Sequence, residues 1–175
     1  MQTSFWKNII RLAFLLLLQA LVLEHISWPG SLHLLVYPIA LILLPMQIPN
    51  VALILLAFGY GWLVDICCGT PGLNAASAVF MMFCRIVYFK VKDVRDILHD
   101  SELQGSPLPS NLGWGGFAAY TAWMVAAFHL FYFMLQAGSF QHFPYTLFLA
   151  AGSGLLCYLA QLLVVWMFAK KGNTR

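Results

Sequence analysis

Apolar residues run in blocks along this chain, and each block of about 16–23 residues closes on a Gly, Pro, Ser or Asn signal. The blocks cover about 8–26, 32–46, 51–67, 73–91, 113–135 and 145–169. At about 1.5 Å of rise per residue, blocks of this length cross the hydrocarbon core of a bilayer as helices. The second block carries Pro38 and Pro45 inside it or at its end. A polar connector over about 91–112 separates the fourth block from the fifth. Within it, Val91, Val94, Ile97, Leu98 and Leu103 recur at helical spacing. That spacing predicts a short amphipathic helix over Val91–Gln104, lying at the membrane interface or offered to a partner, and ended by Gly105, Pro107 and Pro109. The pattern as a whole predicts an all-α integral membrane protein, a single membrane domain built as a six-span helical bundle.

The placement of Lys and Arg orients the bundle. Lys7 and Arg11 flank the first block, Lys90, Lys92 and Arg95 follow the fourth, and Lys170, Lys171 and Arg175 close the chain. The opposite loops, around Glu24–Ser31, Gly69–Asn74 and Gly138–Pro144, hold no Lys or Arg. Six spans put every basic residue of the short loops on one side, and the positive-inside bias makes that side the cytoplasm. Both termini are therefore expected in the cytoplasm; five or seven spans would break the agreement.

Composition sharpens the class. Of 175 residues, 62% are hydrophobic and 9% charged, with a mean hydropathy of +0.82. A soluble domain carries about 25% charged residues. The net charge of +3 is what the positive-inside bias produces, so it implies no nucleic-acid partner. Lys7 and Arg11 followed by LAFLLLLQALVL resemble a signal peptide, but no A-x-A site follows, and a retained first span is expected. Cys67, Cys68, Cys84 and Cys157 form no CxxC or Cys/His metal spacing and read as small apolar residues. No GxSxG, HExxH or P-loop pattern occurs, so no catalytic residues, cofactor or metal ligands are expected.

Asp65 and Arg85 lie within the third and fourth blocks, where charge is expensive. Asp65 follows Ala57 and Gly61 on one helical face, so it should face protein. Ala118, Ala122 and Ala126, and likewise Ala150 and Gly154, form similar small-residue stripes for helix packing. Counted along the third block, Asp65 lies roughly 20 Å from its cytoplasmic start, near the outer surface. Arg85 lies in the cytoplasmic half of the fourth block, roughly 15 Å away in depth, so no Asp65–Arg85 ion pair is expected. Arg85 instead snorkels to headgroups or meets another helix end. Groups at the level of Asp65 are Glu24, His25, His33, the Gly69–Thr70 turn, Asn74 and, farther along, His129. Asp65 is expected to accept hydrogen bonds from the turn's backbone or hydroxyl, or to pair with His25. Gly69 and Gly72 allow positive φ in that turn, and Pro71 stiffens it.

The stretch GYGWLVDICCGTPGLNAAS, followed by an arginine in the fourth block, resembles the MreD family of bacterial rod shape-determining membrane proteins. The residues that carry the resemblance are Gly59, Gly61, Asp65, Gly69, Thr70, Gly72, Leu73, Ala75 and Arg85. Asn74 stands where many members carry histidine, and Ile86 where proline is common. The resemblance implies a non-catalytic scaffold of the cell-elongation machinery in the bacterial inner membrane. Its implied partners are an MreC-like single-span protein, the elongation transpeptidase, a RodA-like glycosyltransferase and cytoplasmic MreB. The plan is also similar to the substrate-binding subunits of energy-coupling-factor vitamin transporters, which implies a ligand pocket among the outer polar residues as the alternative.

Overall fold

The computed structural model describes residues 2–19, 21, 33–91, 106–138 and 142–171. These residues form six helices and, among them, no strand. The helices are α1 (Gln2–Leu18), α2 (Pro38–Ile42), α3 (Asn50–Cys68), α4 (Leu73–Val91), α5 (Pro109–Ala137) and α6 (Phe143–Lys171). Four of them, α3 to α6, are long and apolar enough to cross a membrane. Their bounds follow the last four apolar blocks closely. In α5 the backbone leaves helical geometry at Gly113 (φ 69°, ψ 159°), which separates a short first turn from the long helix. Glycine takes that conformation without a side-chain clash. Glu24 and His25, and most of the amphipathic segment expected over Val91–Gln104, lie outside the described residues.

The second block departs from expectation. A continuous span over 32–46 is expected, yet only the five residues of α2 are helical. The physical reason lies in the prolines and in the neighbours. Pro38 starts a helix but donates no hydrogen bond into one. Pro45 then closes the segment a few residues later. Nonetheless Leu35 to Leu44 are all buried. Irregular backbone at membrane depth survives only where protein satisfies its polar groups, and here side chains do so. Gln19, the residue after α1, brackets the entry, donating from Nε2 to the Leu34 carbonyl (3.2 Å) and accepting from the Val36 N–H (3.0 Å). The Leu35 N–H reaches Cys157 Sγ (3.1 Å), and the His33 N–H reaches Ser153 Oγ (3.1 Å). At the exit, Arg11, Arg85 and Tyr120 donate to carbonyls between Ala40 and Pro45.

Around this segment α3 packs on α4, α4 on α5, and α5 on α6, while α2 touches α1, α4 and α5. The α3–α4 contact follows the small-residue stripe read from the sequence: Ala57, Gly61 and Asp65 are all buried. A Cβ at Gly61 would lie 2.6 Å from Ala75 Cα and 2.8 Å from the Asn74 carbonyl oxygen. The stripe on α5 turns out otherwise. Ala126 is exposed and Ala122 half-buried, and the inward face is made by Phe117, Tyr120, Met124, Phe128 and Tyr132. Aromatic side chains fill the wide gap left by a short, irregular α2 segment better than alanines would. On α6, Ala150 and Gly154 are buried as expected; a Cβ at Gly154 would lie 3.6 Å from the His129 side chain.

Gly61→Ala should lower the stability of the detergent-solubilised protein by about 1–3 kcal/mol, because backbone must move to admit one methyl group. Gly59→Ala, whose Cβ would meet nothing within 4 Å, should stay within about 0.5 kcal/mol of the parent. Thermal melting of both variants measures the contrast.

Candidate functional site

Asp65 holds both ends of the α3–α4 hairpin. Its backbone carbonyl accepts from the N–H groups of Gly69 and Thr70, closing the C-terminus of α3 with Gly69 in the left-handed region (φ 67°). Its carboxylate turns the other way, to the start of α4. Oδ1 accepts from the Asn74 N–H (3.0 Å), Asn74 Nδ2 (3.1 Å) and the Thr70 hydroxyl (2.5 Å). Oδ2 accepts from the Ala75 N–H (2.9 Å). Two of the donors are first-turn N–H groups of α4, which no residue of α4 itself can satisfy. A carboxylate there also faces the positive end of the helix dipole. Asp65 is thus an N-cap supplied from the preceding helix, and it is 4% exposed.

The network reaches the irregular segment through Asn74. Asn74 Nδ2 donates to Thr70 Oγ1 as well as to Asp65 (2.9 Å for the former), and Asn74 Oδ1 accepts from the Tyr37 hydroxyl (3.0 Å). Tyr37 is completely buried, and its ring packs 5.7 Å from both Tyr60 and Phe128. Tyr60 in turn donates to the Leu12 carbonyl of α1 (2.8 Å). A chain of hydrogen bonds and rings therefore links the GTPG turn to α1, α3, α4 and α5.

The expectation that Asp65 takes bonds from its own turn agrees with this geometry. Of the remaining motif residues, Gly69 and Gly72 (φ 79°) make the turn, Leu73 opens α4, and Gly59 meets no neighbour at its Cβ. Arg85 lies apart, as its depth predicts: Nη1 donates to the Leu41 carbonyl (3.2 Å) and Nη2 to that of Leu44 (2.6 Å), with the guanidinium 5.8 Å from the Phe89 ring. It meets the C-terminal end of α2, a helix end that the sequence pattern had hidden inside a span.

His33 and His129 belong to a second polar centre. His129 is buried, with Nδ1 2.9 Å from the Val125 carbonyl and Nε2 3.2 Å from Cys157 Sγ. The carbonyl fixes the proton on Nδ1, so Nε2 accepts from the Cys157 thiol. Cys157 also receives the Leu35 N–H and faces the His33 carbonyl at 3.7 Å. Reading Cys157 as a plain apolar residue missed this role. Tyr37, Gln19 and Ser153 were missed as well, although a glutamine inside a leucine run was a signal of a buried polar demand. No group of three or more His, Cys, Asp or Glu residues suited to a metal occurs among the described residues.

Comparison with known protein families, curated proteins and solved structures finds no match to this chain.

Asp65→Asn places an amide where only acceptors fit and should cost about 1–3 kcal/mol of stability. Tyr37→Phe should cost about 1 kcal/mol through the unsatisfied Asn74 oxygen. Melting curves check both, and a more stable Asp65→Asn protein would contradict the capping role.

Proposed function

We propose that this chain is a non-catalytic membrane scaffold of the machinery that builds the lateral peptidoglycan wall during bacterial cell elongation. In this reading it is a six-span protein of the cytoplasmic membrane with both termini inside. It binds an MreC-like single-span protein, and directly or through it the elongation transpeptidase and a RodA-like glycosyltransferase, with MreB filaments on the cytoplasmic side. Two things support the reading: the likeness of GYGWLVDICCGTPGLNAAS to the MreD pattern, and the use that the structure makes of that stretch. The observation that carries most weight is that each carboxylate oxygen of Asp65 is engaged by groups of its own hairpin. Residues spent in this way shape a rigid surface rather than an open pocket. Small-residue contacts of the Gly61–Ala75 kind are also how helices in lipid hold one another.

A second reading, the substrate-binding subunit of a small-molecule transporter, is favoured by one observation. Thr121 Oγ1 and both polar atoms of Gln161 are buried without a hydrogen-bond partner among the described residues. Discontinuous helices beside such groups mark binding sites in transporters.

A tagged copy purified from native membranes in mild detergent should carry with it a single-span coiled-coil protein and a transpeptidase, identified by mass spectrometry. Recovery of paired ATPases with a coupling membrane subunit would overturn the scaffold and establish the transporter.

A further inference from the structure

We infer that the end of the bundle bearing Arg11 and Arg85 holds the phosphate group of an acidic phospholipid, with Arg11 as its principal contact. The argument starts from charge. Arg11 Nη2 donates to the carbonyls of Ala40 (3.4 Å) and Leu43 (3.1 Å), and Arg85 donates to those of Leu41, Leu44 and Pro45. The two guanidiniums thus converge on the exit of one short segment. Among the described residues their partners are peptide carbonyls and a ring face, and none is a carboxylate. The one described carboxylate, Asp65, lies at the other end of α3–α4 and is engaged there.

Carbonyl dipoles disperse positive charge but do not neutralise it, and two cations without a carboxylate partner among the described residues offer a low-dielectric site to an anion. Arg85 is enclosed, at 2% exposure, so the anion cannot reach it freely. Arg11 is half-buried, and its Nε has no hydrogen-bond partner among the described residues, so its donors are only partly used there. It stands about 4.5 Å along α1 from Asn8, where the apolar block begins, which is within side-chain reach of the headgroup layer. Its neighbours Ile10, Phe14 and Leu17 are exposed apolar residues of α1. A guanidinium next to a lipid-facing apolar strip matches a phosphodiester with its acyl chains alongside. Lys90 at the end of α4 adds to the positive field at the same end.

The experiment is native mass spectrometry of the whole protein released from nanodiscs of equimolar phosphatidylglycerol and phosphatidylcholine. The expected result is about a tenfold preference for phosphatidylglycerol, falling as salt is raised. Arg11→Gln should bring the ratio close to one, while Arg11→Lys, which keeps the charge without the fork, should retain part of it. If Arg11→Gln is not monodisperse, the Arg11→Lys ratio and the salt titration of the parent protein decide. Equal retention of the two lipids by the parent protein would overturn the inference, as would an undiminished preference in Arg11→Gln. Displacement of phosphatidylglycerol by millimolar glycerol 1-phosphate would overturn the lipid as the source of the phosphate. A co-purifying protein that fills the site and leaves no lipid bound would do the same.

Discussion

Buried backbone outside a long helix must find its hydrogen bonds inside the protein, and the segment from His33 to Pro45 imposes that demand on everything around it. Its donors and acceptors are met by Arg11 of α1 and Gln19 just after it, from α4 by Arg85, from α5 by Tyr120, and from α6 by Ser153 and Cys157. Each of these side chains would be costly in the interior by itself. Together they and the segment offset part of that cost. The segment therefore acts as a shared core that fixes where four other helices stand, because moving any of them strands a polar group.

The α3–α4 hairpin is locked to this core at its tip. Asp65 closes one helix with its carbonyl and opens the next with its carboxylate, and Asn74 passes the connection to Tyr37. An aspartate in an apolar run is thus explained by geometry: it accepts from four donors of its own hairpin, two of them first-turn N–H groups of α4. The close Gly61–Ala75 approach brings the two helices near enough for the cap to span them. Rigidity of this kind suits a protein whose proposed task is to present surfaces to wall-synthesis partners.

Much of this was legible in the sequence. Block lengths gave α3 to α6 within a few residues, and the i, i+4, i+8 pattern placed Asp65 on the buried face of α3. Depth counting separated Asp65 from Arg85. The irregular segment was not legible, because apolar content alone cannot distinguish a buried broken segment from a span; only Pro38 and Pro45 hinted at it. The inward face of α5 was misread since an alanine stripe and an aromatic stripe coexist on one helix. Which one turns inward depends on the width of the gap opposite, a tertiary quantity. The bonding of Cys157 to His129 and Leu35 joins residues far apart in the chain, so no local pattern could announce it.

The central claim is that Leu35–Leu44 is a fixed, side-chain-satisfied core rather than a gate. Hydrogen–deuterium exchange of the protein in lipid nanodiscs tests it most directly. The account predicts protection of these amides comparable to that of α3 and α4, although only the short α2 among them is helical. Exchange within seconds, as fast as in the exposed turn around Pro71–Gly72, would contradict it and point to a segment that opens.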